Sequence, residues 1–129
     1  MVNRTDQGSE FIMGKSLNQV VIMGNLTREP ELRRAGEQDV CNFSIAINRS
    51  FMNKETNEWD EITDFVDIVA WGKLANQVSE RLQKGSRALI VGRLQSSSWE
   101  QDGKNRTKVE VLASDVTFMP RPETNAETA

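Results

Sequence analysis

The side chains with chemistry to offer are five aromatics, Phe51, Trp59, Phe65, Trp71 and Trp99, set among dispersed Arg and Lys residues. Trp99 ends the run Gln95-Ser96-Ser97-Ser98, which cannot contribute to a core, so a flat indole stands at the tip of a polar arm. Such a ring needs a planar partner. Phe51 and Trp59 flank the predicted turn Lys54-Glu55-Thr56-Asn57-Glu58, between two extended arms. Arg49, Lys54, Lys73, Arg87, Arg93, Lys104, Arg106 and Lys108 stand mostly beside these aromatics or in connections between strands. Open π-faces interleaved with cations suit a sequence-blind grip on unstacked bases and their phosphates, because every base has a face and every nucleotide a charge. Other readings compete with this one. A single Lys or Arg is more often a solvated surface charge, Trp71 reads first as core because it ends an apolar strand, Phe65 divides evenly, and Trp59 reads as a brace for its loop.

Other chemistries find less support. Histidine is absent, which removes the commonest general base and zinc ligand, so neither a hydrolytic triad nor a metal site is expected. Asp60, Glu61, Asp64 and Asp67 have the near-alternate spacing of a divalent-cation or acid-base cluster, but acids at a strand entrance also discourage edge-to-edge pairing. No enzyme and no cofactor is expected. Cys41 is alone, which fits a reducing compartment and a small buried hydrophobe. The formal net charge of −3 means that any affinity for nucleic acid must come from local charge.

The elements that position these residues follow from periodicity. At 129 residues one domain with one core is expected. Residues 1–12, with Gly8-Ser9-Glu10-Phe11 before Met13, read as an expression scar or a flexible arm, and residues 120–129 as a tail after Pro120. Between them, strands are predicted over Leu17–Leu26, Val40–Arg49, Asp64–Trp71, Ser86–Trp99 and Asn105–Phe118. Thr27–Asp39 reads as a connection and Ser50–Ile62 as a loop. Leu74, Ala75, Val78 and Leu82 recur at helical spacing, which predicts a short helix over Lys73–Lys84 capped by Gly85. Asp102-Gly103 supplies hairpin chemistry, and Gly24 and Gly92 interrupt the first and fourth strands as bends. Three strands, a helix and two strands make an all-β chain with one short helix, the order of a five-stranded OB-fold barrel. No apolar run reaches bilayer length and no export signal is seen, so the cytoplasm is the expected compartment, with no membrane partner.

Three blocks extend this reading. Gly24-Asn25-Leu26-Thr27-Arg28-Glu29-Pro30-Glu31-Leu32-Arg33 resembles the opening signature of bacterial single-stranded DNA-binding proteins. Phe65-Val66-Asp67-Ile68-Val69-Ala70-Trp71-Gly72-Lys73-Leu74-Ala75 resembles that family's third strand entering its helix, and Leu82 to Leu94 its helix exit and fourth strand. The resemblance covers roughly Ser16 to Met119. It implies an OB-fold homotetramer that wraps single-stranded DNA during replication, repair and recombination. The family's stacking positions fall on Phe51, Phe65 and Trp99, with a fourth aromatic at Trp71; the two phenylalanines replace what is often tryptophan. The family's frequently basic run before Trp99 is here Gln95-Ser96-Ser97-Ser98, which implies fewer neutralised phosphates. Val66 stands where a polar residue often lies at the family's subunit contact. The acidic tip through which relatives recruit replication and repair proteins is absent before Ala129. An OB-fold protein-interaction module of the primosomal type, dimeric and weak on long oligonucleotides, is the alternative.

Overall fold

The computed structural model describes residues 16–119. The scar or arm read over 1–12, the tail read over 120–129 and the prolines expected to stop the last strand lie outside the described residues. The chain forms β1 (Val20–Leu26), β2 (Glu31–Ala35), β3 (Gln38–Asn53), β4 (Glu58–Trp71), α1 (Lys73–Arg81), β5 (Arg87–Gln101) and β6 (Lys104–Met119).

Five of these strands close on themselves. β1 pairs antiparallel with both β5 and β3, β5 with β6, and β3 with β4, while a short parallel contact of β4 with β6 completes the ring. This is the expected five-stranded barrel, with α1 between its third and fourth strands. β2 lies outside the ring, hairpinned to β3.

Alternation along the strands decides what fills the barrel. Cys41, Phe43 and Ile45 of β3, Ile68 and Ala70 of β4, Ala88 and Ile90 of β5, and Val111 of β6 are buried together. Each large apolar side chain removed from water contributes about 1.5–3 kcal/mol. Ala75, Val78 and Leu82 dock the apolar stripe of α1 on this core, and the Arg81 guanidinium sits 5.2 Å from the centre of the Phe118 ring on β6. Burial pushes the Cys41 thiol up to about 11, which leaves it an inert core group.

The structure corrects three local expectations. The connection read over Thr27–Asp39 contains strand β2, and the loop read over Ser50–Ile62 is a continuation of β3 and β4 around a turn at residues 54–57. The helix ends at Arg81 with Leu82 as its cap. Gly85 instead donates its N–H to Leu26 O at 2.9 Å, while Leu26 N–H donates to Ser86 O at 2.8 Å, locking the entry of β5 onto the end of β1.

Two glycines permit the closure. A Cβ on Gly24 would press into the Ala46 carbonyl oxygen, and one on Gly92 into that of Leu112. Gly24 stands where β1 leaves β5 for β3, and Gly92 at the register shift between β5 and β6.

Candidate nucleic-acid interface

The pleat sends alternate residues of β4 to opposite sides, so Ile68 and Ala70 point into the barrel while Phe65, Asp67 and Trp71 point out. Phe65 is 70% exposed and Trp71 41% exposed. Trp71 is therefore a surface ring, not the core residue its position at the end of an apolar strand suggested. The two rings are six residues apart on one face, about 20 Å of strand.

β5 and β6 extend this surface. The register sets Trp99 opposite Arg106, Ser97 opposite Lys108, Gln95 opposite Glu110 and Arg93 opposite Leu112, so these side chains share a face. Lys104, opposite Gln101 at the hairpin end, falls on the same side. Trp99 is 44% exposed, and its indole N–H donates to Gln101 Oε1 at 3.5 Å. The hairpin turns at Asp102 and Gly103, whose φ values of 54° and 75° are those the Asp-Gly sequence accommodates. Lys108 bridges the β5–β6 surface to β4, its ammonium 3.3 Å from Asp67 Oδ2 and 3.6 Å from Glu110 Oε1.

Across the other flank, Arg87, Asn25, Ala46 and Phe65 form one row over β5, β1, β3 and β4. The small side chain of Ala46 leaves a shallow depression there, lined by Met23, Asn25, Asn48 and Arg87 among others. Arg87 thus lies about 14 Å of sheet from Phe65. Lys73 opens α1 two residues after Trp71.

The remaining candidates are turned elsewhere. Phe51 is opposite Asp60 and Arg49 opposite Ile62, which puts them on the other side of the β3–β4 arm from Phe65. Phe51 is 38% exposed, and the Arg49 guanidinium is held 2.8 Å from Asp64 Oδ2. Lys54 lies in the turn at the arm's tip. Trp59, opposite Met52, shares the Phe65 side and is 69% exposed, more open than a brace for a loop requires. Glu55, Glu58, Asp60 and Glu61 outnumber Lys54 around it in the chain, a weaker setting for phosphate than that of Trp99 opposite Arg106.

The four carboxylates considered as a metal or acid-base cluster do not converge. Asp60 accepts from Asn53 at 2.9 Å and Asp64 from Arg49 on one side of β4, while Glu61 and Asp67 fall on the other. Among the described residues no group of three metal-ligating side chains comes together, and no helix is long and apolar enough to cross a membrane.

The described surface can therefore stack planar rings at Phe65, Trp71 and Trp99, with Arg93, Lys104, Arg106 and Lys108 beside them. The fold that carries this surface has known relatives. The "single-strand binding protein family" profile matches residues 17–119. The "Single-stranded DNA-binding protein 2" of Chlorobaculum tepidum is 42% identical over 114 residues, covering 86% of this chain and 76% of that protein. A single-stranded DNA-binding protein of Treponema pallidum is 40% identical over 104 residues, covering 80% of this chain but only 58% of its own length. Among solved structures, the Plasmodium falciparum SSB complex with ssDNA superposes with a TM-score of 0.75 at 26% identity, over 84% of this chain and 100% of that one. Because the matched segment takes in all six strands, the helix and each exposed ring of the surface, the chain belongs to the single-strand binding protein family.

Proposed function

We propose that this chain binds single-stranded DNA without regard to sequence, stacking bases on Phe65, Trp71 and Trp99 and steering the backbone with Arg93, Lys104, Arg106 and Arg87. Phe51, Arg49 and Lys54 join the path where the strand passes round the β3–β4 arm, and Lys73 flanks it at Trp71. The observation that carries this reading is Trp99 set directly opposite Arg106, on a surface that Lys108 ties to Asp67, two residues from Phe65 on β4. The chain's role is to cover single strands during replication, repair and recombination in the bacterial cytoplasm, with binding and no turnover as its activity. It is supported by relatives named for single-stranded DNA binding. Titration with oligo-dT is expected to quench tryptophan fluorescence. Each neutralised phosphate adds about −0.7 to the log–log salt slope on single strands. The slope is expected to be shallow, because Gln95-Ser96-Ser97-Ser98 carries no charge and Arg49 and Lys108 are already paired with carboxylates. No quenching at low salt overturns the reading; a slope as steep as full use of all eight candidate cations requires overturns the account of charge.

A homotetramer is part of the same proposal. It is supported by an apolar patch on the outside of β1 and β5, where Val21 lies opposite Val91 and Met23 opposite Leu89. Sedimentation with and without oligo-dT is expected to give a tetramer in both cases. A monomer or dimer with weak affinity for long oligonucleotides would favour the protein-interaction alternative.

A further inference from the structure

Among the candidate cations on the face of Phe65 and Trp99, Lys108 differs from its neighbours. Arg93, Lys104 and Arg106 make no ion pair with another described residue, whereas the Lys108 ammonium stands between Asp67 at 3.3 Å and Glu110 at 3.6 Å. Glu110 is held from a second side by Gln95, whose amide donates to Oε2 at 3.4 Å. Asp67 is half exposed and lies two residues from Phe65 on the same outward side of β4. Two carboxylates around one ammonium leave this spot net negative. A strand crossing from Phe65 to Trp99 passes over it.

We propose that Asp67 is a built-in competitor with DNA phosphate for Lys108, an affinity-setting residue that keeps the grip on single strands loose; the inference rests on the proposed single-stranded DNA binding. While paired with Asp67, Lys108 is neutralised by the protein and has no condensed counter-ion to exchange. It adds nothing to the salt slope. A phosphate that reaches Lys108 must displace Asp67 and remain beside its charge. Exposed ion pairs are weak enough for a phosphate to make this exchange, yet they still oppose it. The device depends on topology, since only the parallel contact of β4 with β6 brings Asp67 and Lys108 together.

The test compares oligo-dT binding by the wild-type chain, Asp67→Asn, Lys108→Gln, the double variant, and Glu80→Gln, which makes the same change in net charge on α1. Asp67→Asn is expected to bind about fivefold more tightly at low salt, with a salt slope steeper by a part of the ~0.7 that a fully freed cation would add, because Glu110 still faces Lys108. Glu80→Gln is expected to match the wild type, and Asp67→Asn is expected to give no gain in the Lys108→Gln background. Equal affinity of Asp67→Asn and wild type overturns the proposal. So does an equal gain from Glu80→Gln, or a gain that persists without Lys108, because either outcome makes Asp67 a general repulsive charge. A wild-type chain that fails to bind oligo-dT sinks the single-stranded DNA reading itself, a result distinct from these.

Discussion

Trp99→Ala is expected to weaken binding to oligo-dT by about 5- to 150-fold, since base–aromatic stacking contributes about 1–3 kcal/mol per base. The indole is held at the rim of the β5–β6 arm by Gln101 and faces Arg106, so its loss removes a stacking face and leaves the charge in place. Salt dependence should consequently change little while affinity falls. Phe65→Ala is expected to cost a similar factor, because its ring is open to solvent and bordered by the small Ala46. Both positions lie outside the buried cluster, so thermal unfolding should be nearly unaffected. Trp99→Phe should keep most of the affinity, as a smaller ring still stacks. Anisotropy of a labelled oligo-dT at fixed salt reads all three. Unchanged affinity in both alanine variants would defeat the stacking account. Phe51→Ala adds a path measurement: Phe51 is on the far side of the arm, so a loss there means that the strand winds round the arm.

How much of this surface was visible in the sequence depends on which kind of contact made it. The inward rows Cys41-Phe43-Ile45 and Ile68-Ala70 follow from alternation alone, since one side of each strand meets the core. The Asp102-Gly103 turn was likewise legible, because its backbone demands are local. Strand β2 was not. Glu31, Leu32, Arg33 and Arg34 are all exposed, so no hydrophobic side marks the strand, and it is held by pairing with β3. The outer halves of β3 and β4 were legible only in part: the turn between two extended arms is local chemistry, but from Asn48 to Asn53 and from Glu58 to Thr63 the arms pair with each other beyond the core, and their polar sequence reads as loop. Trp71 misled because both residues before it are buried: Ala70 points into the barrel, and Val69, on the same outward side as Trp71, is covered, whereas the Trp71 ring at the strand's end stays exposed. The aromatics could be nominated from composition and motif. Their separation into a Phe65 side and a Phe51 side required the register, and the Asp67–Lys108 pair required the closure of the ring.

That closure gives Gly92→Ala a large expected effect on stability. At this position β5 shifts register against β6 between Val91 and Gly92, and the strand changes from a core element into the arm that carries Trp99. A Cβ would press into the Leu112 carbonyl oxygen, with the Leu112 carbonyl carbon at 2.9 Å and the Ala113 Cα at 3.0 Å. All three are backbone atoms, so no side chain can rotate away. The strands must part, and parting them loosens the packing of Ile90 against Val111 and Val116 in the core. Overpacking of this kind costs about 3 kcal/mol. For a domain of this size that corresponds to a fall in Tm of about 12–24 °C. Gly103→Ala is the matching control: nothing lies within 4 Å of its Cβ, and its φ of 75° brings only local backbone strain, about 1 kcal/mol. Gly92→Ala should also bind DNA less tightly at temperatures where it remains folded, because the bulge sets the angle at which Trp99 leaves the barrel. Thermal unfolding of the two variants beside the wild type decides the matter. If Gly92→Ala melts no lower than Gly103→Ala, the close approach of β5 to Leu112 is not what the glycine is there to permit.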